Sequence, residues 1–193
     1  MRDKTKTDDP CIVVPTPTKG LTIDDLVKIW HAAGRIGEPR STMIRFMIIT
    51  GQSRQDICHI RNALLFHSIW ALERHGEKRF VVPLSTEAMS LLSPYRRTAG
   101  YFFRSPKLPL HGIIDPKIGS PIGFSKTIRN QLRTLASIPW QWGLSDIQRA
   151  VWREFGARSG RSEEECDLWS NDFMKELQPD LDLEELFSTA DEL

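Results

Sequence analysis

Residues Thr50 to Arg61 read TGQSRQDICHIR. Ser53 followed three residues later by Asp56 has the form of a helix entrance, a hydroxyl side chain at the cap and a carboxylate reaching back to it. Ile57, Ile60 and Leu64 then supply an apolar face at helical spacing. Upstream, a mostly buried helix is expected over roughly Thr42 to Thr50. Before it, Thr22 and Asp25 form another capping pair, opening a helix whose inner face is Leu26, Trp30 and Ala33 and which stops at Gly34.

Downstream, SIWALERHGEKRFVVPLS (68–85) predicts a β-hairpin: an apolar strand, a turn around His75 and Gly76, and a return strand ending at Pro83. Ser85 caps a short helix through Leu92, and GYFFRS (100–105) has the aromatic content of a third strand. Residues 105–123, with four prolines and three glycines, predict a long irregular loop. From Phe124 a helix carries Ile128, Leu132 and Leu135 inward and Lys126, Arg129 and Arg133 on another face. LSDIQRAVWREFG (144–156) repeats the pattern, with Ile147, Val151 and Phe155 on one stripe and Arg149 and Arg153 on another. In it, Ser145 and Gln148 stand in the register of a capping box.

A chain of 193 residues is long enough for one domain with a full core, and 40% hydrophobic with 26% charged residues is a globular composition. The longest apolar run is far short of the ~20 residues that span a bilayer. No signal-like apolar segment follows Met1, so a cytosolic protein is expected. Cys11, Cys58 and Cys166 are odd in number and far apart, which predicts idle thiols rather than disulfides or a zinc site. His59, His67 and His75 recur at eight-residue intervals that fit no ligand pattern, so neither metal nor cofactor is expected.

Charge is distributed unevenly. Residues 161–193 hold 12 acids against Arg161 and Lys175, a net −10, whereas residues 1–160 hold 24 bases against 13 acids, a net +11. A basic body fits a polyanionic partner, although solvated surface charge accounts for the excess equally well. The organisation expected is a leader over 1–20, a core over 21–160 and an acidic helical tail over 161–193. In that tail Trp169, Phe173 and Leu177 recur every four residues, with Leu181, Leu183 and Leu186 after them.

The order of these features resembles the catalytic domain of the tyrosine recombinases, the phage-integrase family. LTIDDLVKIW (21–30), TGQSRQD (50–56), the hairpin closing on VPLS (82–85), YFFRS (101–105), a basic helix and SDIQRA (145–150) follow in the family's sequence from about Leu21 to Gly156. The resemblance implies an α+β, mainly helical fold with helices around a small three-stranded antiparallel sheet. The family's separate N-terminal DNA-clamping domain is not expected ahead of Leu21.

The same resemblance implies that the reacting groups are missing. The family's first arginine falls on Ser53, with Arg54 displaced by about 100° around the helix, and its hairpin lysine falls on His75. Its His-Asp-Leu-Arg motif reads Ser145, Asp146, Ile147 and Gln148, and no tyrosine follows, since Tyr95 and Tyr101 both precede that motif. Opening a phosphodiester through a covalent link needs a nucleophile and cations on the developing negative charge, and serine and glutamine carry no charge. The resemblance therefore leads to a catalytically inactive, integrase-like protein that binds double-stranded DNA, with a regulatory role in transcription or in control of a mobile element. Its expected contacts are Arg54, Arg61, Lys78, Arg79, Lys126, Arg129, Arg133, Arg149 and Arg153. The alternative is a protein-interaction module on the same scaffold, docking a partner or a second copy of itself through residues 161–193.

Overall fold

The computed structural model describes residues 20–74, 78–97, 99–105 and 121–159. The leader, the turn at His75, most of the 105–123 loop and the acidic tail lie outside these residues. Among those described, six helices surround one small sheet: α1 Ile23–Ala33, α2 Arg40–Thr50, α3 Arg54–Cys58, α4 Thr86–Leu92, α5 Lys126–Ala136 and α6 Leu144–Ser159, with β1 Leu65–Phe66, β2 Ile69–Arg74 and β3 Lys78–Pro83. Short 3₁₀ turns occupy Asn62–Leu64 and Ser93–Tyr95. No helix among the described residues is long and apolar enough to cross a membrane.

Local chemistry starts α1 where Thr22 stands. The Asp25 N–H donates to the Thr22 hydroxyl at 3.2 Å, and the Asp25 carboxylate accepts from the Thr22 N–H at 3.0 Å. Burial alone would raise the Asp25 carboxyl, but the Thr22 hydrogen bonds and the Lys28 ammonium hold it below its ordinary value. The inner face of α1 is Leu26, Ile29, Ala32 and Ala33. Trp30, expected inside, is only half-buried: Ile29 takes the inward position, and the Arg45 guanidinium lies 5.2 Å from the Trp30 ring centroid. That position leaves one face of the indole to a cation rather than to the core.

The sheet runs β1-β2-β3 and is antiparallel throughout. Leu65 pairs with Trp70, Ile69 with Pro83 and Arg74 with Lys78. The expected hairpin is therefore β2 and β3, but the third strand is Leu65–Phe66 and not residues 100–105. Phe102 and Phe103 are both buried, so this stretch does not alternate between two faces as a half-buried strand does. Tyr101 and Arg104 instead make isolated bridges, to Arg61 and to Pro121.

The third helix is also shorter than its apolar spacing predicts. It ends at Cys58, where the His59 ring Nδ1 sits 2.8 Å from the Gln55 carbonyl, and the backbone then turns so that the Ile60 carbonyl accepts from the Phe102 N–H at 3.0 Å. Ile57 and Ile60 still reach the core, and Leu64 packs against it.

A single cluster joins every helix to the sheet, with Ile29, Phe46, Ile57, Trp70, Leu92, Phe103, Leu132 and Ile147 among its buried members. Burying side chains of this size stabilises a fold by roughly 1.5–3 kcal/mol each before entropy is counted. The Phe46 and Trp70 rings meet at 5.9 Å and tie α2 to β2. Trp142 is buried and Trp140 half-buried, packed as the residues ahead of α6 rather than presented for stacking.

Candidate nucleic-acid interface

The two polar helix entrances singled out in the sequence lie more than ninety residues apart, and Gly51 brings them together. It ends α2 in the left-handed conformation, φ 65°, its N–H donating to the Met47 carbonyl at 2.9 Å. Only glycine adopts this conformation without penalty, and a Cβ here would also meet Val151 Cγ1 at 3.1 Å. The Trp152 indole N–H then donates to the Gly51 carbonyl at 2.7 Å. Because Gln148 precedes Trp152 by one helical turn, the start of α6 is held beside the start of α3.

Between the two lies an open cavity of about 390 Å³ lined by Ser53, Arg54, Gln55, Arg129, Gly143, Leu144, Ser145 and Gln148. Three of the four positions at which the resemblance puts reacting groups, Ser53, Ser145 and Gln148, thus share one wall. The fourth, His75, lies outside the described residues. Arg54 and Arg129 line the cavity and are exposed, and neither guanidinium makes an ion pair or hydrogen bond to another described residue. The neighbouring carboxylates face donors of their own. Asp56 accepts from the Ser53 hydroxyl at 2.6 Å and from its N–H at 3.3 Å, and Asp146 accepts from the Gly143 N–H at 2.6 Å while pairing with Arg149.

At α3 the expected capping box is present: the Ser53 hydroxyl accepts from the Asp56 N–H at 3.2 Å. At α6 it is not. The helix begins at Leu144, Ser145 is exposed within its first turn, and the Asp146 carboxylate takes the Gly143 N–H. An ionised carboxylate near the positive end of a helix is the stronger acceptor, and Asp146 sits where it reaches that amide, so Ser145 and Gln148 are left facing the cavity.

The remaining expected contacts divide by what they touch. Lys126 is exposed at the start of α5. Arg133 is half-buried and its Nε donates to the Trp142 carbonyl, while Arg153 donates to the Leu21 carbonyl; both fasten loops to helices. Arg149 is exposed beside Asp146. Arg61 lies over the Tyr101 ring, 5.2 Å from its centroid. Lys78 and Arg79 stand on β3 opposite Arg74 and Glu73. Arg96 and Arg97 are exposed, with the Arg97 N–H donating to Asn62 Oδ1 at 2.9 Å, yet no periodicity singled them out because they belong to no regular element.

Cys58 is a buried free thiol pushed above its ordinary value by burial, with the Arg54 charge opposing that shift. The described residues hold no cluster of three or more His, Cys, Asp or Glu able to bind a metal.

No family model and no curated protein sequence matches this chain. Solved structures do. The chain is similar to XerA recombinase, with 16% identity and a TM-score of 0.54 over 84% of this chain and 55% of that one. It is similar to the lambda integrase catalytic core, with 15% identity and a TM-score of 0.53 over 82% of this chain and 89% of that one. It is similar also to lambda integrase bound to DNA, with 15% identity and a TM-score of 0.53 over 72% and 51%. The chain thus spans about half the length of the longer recombinases and most of the isolated core. Its architecture is a tyrosine recombinase-like catalytic-domain fold, mainly helical around a three-stranded antiparallel sheet.

Proposed function

We propose that this chain binds double-stranded DNA without cutting it, using the cavity between α3 and α6 and the basic surface around it. The observation that carries this reading is the composition of that cavity: two exposed guanidiniums, Arg54 and Arg129, beside Ser53, Ser145 and Gln148, with no tyrosine among its lining residues. A guanidinium offers a fork of N–H donors that fits phosphate oxygens, so affinity survives the loss of the reacting groups. Chemistry does not, because removing even one donor to a developing oxyanion typically costs ~10²–10³ in rate, and here no tyrosine follows Gln148 to attack in the first place. The DNA-bound state of the lambda integrase neighbour supports the choice of duplex as the ligand.

Phosphate contacts of this kind position a protein on DNA without reading sequence, which suits a regulatory occupant of a site in transcription or in control of a mobile element. The test has two readouts. In a gel shift at low salt the chain retards a short duplex, and its affinity falls linearly in log–log form as salt rises. On supercoiled plasmid followed by denaturing electrophoresis, no nick and no protein–DNA adduct forms. Absence of retardation, or appearance of the adduct, overturns the proposal.

A further inference from the structure

Beyond the cavity, α3 leads to a second cationic feature. The Arg61 guanidinium stacks on Tyr101 and donates to its hydroxyl at 3.3 Å, while the His59 ring meets the Tyr101 edge at 6.0 Å and 74°. The backbone beneath is fastened from both sides: Asn62 donates to the Gly100 carbonyl through its N–H at 2.9 Å and its Nδ2 at 3.1 Å, and its Oδ1 holds the Arg97 N–H. His59, Arg61 and Arg97 are exposed, and among the described residues neither guanidinium pairs with a carboxylate.

A guanidinium laid on an aromatic face is pre-oriented at little entropic cost and keeps its remaining N–H donors for an outside acceptor. The feature also connects to the cavity. Gln55 lines the cavity, and its carbonyl lies 2.8 Å from His59 Nδ1.

We propose that Arg61, stacked on Tyr101, and Arg97 form a second phosphate-contact patch that holds the DNA backbone outside the cavity. The inference rests on the DNA-binding reading above and adds to it a contact surface outside the cavity. Arg61 and Arg97 contribute charge to the duplex, and Tyr101 and Asn62 are positioning residues.

The experiment is fluorescence anisotropy of a labelled duplex titrated with the full chain from 50 to 200 mM salt, comparing the unaltered protein, Arg61→Ala/Arg97→Ala and Arg61→Lys/Arg97→Lys. Each phosphate contact contributes about 0.9 to the slope of log affinity against log salt, so the alanine pair lowers that slope by about 1.8 and the lysine pair keeps it within about 0.5. If the unaltered chain binds and the alanine pair keeps the full slope, or the lysine pair loses as much as the alanine pair, the patch is not a phosphate contact. Failure of the unaltered chain to bind duplex at all is a different result: it removes the DNA-binding reading and this proposal with it.

Discussion

The entrances of α3 and α6 begin alike and are held differently. Each has a serine with an aspartate close behind it, yet at α3 Ser53 and Asp56 close on each other, whereas at α6 the serine is bypassed and Asp146 reaches back to Gly143. The difference is one of register. Three residues separate Ser53 from Asp56, which lets each side chain meet the other's amide, but Ser145 and Asp146 are adjacent, so the carboxylate meets the amide three residues before itself and the hydroxyl is left over. A residue type favoured at helix starts is therefore stabilising in one place and free for a ligand in the other.

The largest expected effect on stability lies beneath the caps. Ile57 and Ile147 are both fully buried, one behind each entrance, and Ile57→Ala or Ile147→Ala is expected to lower stability by about 2–5 kcal/mol in chemical denaturation. Next is Gly51, on which the two entrances converge. Gly51→Ala combines a positive φ with a contact to Val151 and should cost roughly 1–2 kcal/mol, read as a shift in denaturation midpoint. Ser53→Ala removes a cap and should cost about 1 kcal/mol by the same measurement.

The smallest effect is the most discriminating. Ser145→Ala is expected to stay within about 0.5 kcal/mol of the parent, as exposed substitutions usually do. Should Ser145→Ala destabilise as much as Ser53→Ala, the two entrances are equivalent and the distinction drawn here is lost.

Much of the architecture was legible before any coordinates. The hairpin boundaries at Ile69 and Pro83, the caps at Thr22, Ser53 and Ser85, and the inward residues of α5 are local matters of side-chain spacing and hydrogen-bond reach. Where local pattern misled, a partner distant in sequence was responsible. The apolar period through Leu64 suggested a longer α3, but Ile60 pairs with Phe102. The aromatic run at 101–103 suggested a strand, but burial of two successive phenylalanines turned it into a packed crossing. Trp30 fitted the inner stripe of α1, but Arg45 on α2 occupies its ring face.

The candidate site divides along the same line. Sequence placed Ser53, Ser145, Gln148, Arg54 and Arg129 on the cationic or polar faces of separate helices, and charge counting gave the basic body its sign. It gave no means of ranking the arginines. Arg133 and Arg153, on the same stripes as Arg129 and Arg149, hold loop carbonyls, and Arg97, outside any helix or strand, is exposed with its N–H held by Asn62, the residue after Arg61.

Helix, hairpin and cap were decided by the chain itself, because hydrogen bonds and side-chain periodicity act over three or four residues. Which charges remain free for a ligand was decided only in the folded molecule. A guanidinium is available when no carbonyl or carboxylate lies within its reach, and the carbonyls that engage Arg133 and Arg153 come from segments brought to them by the core.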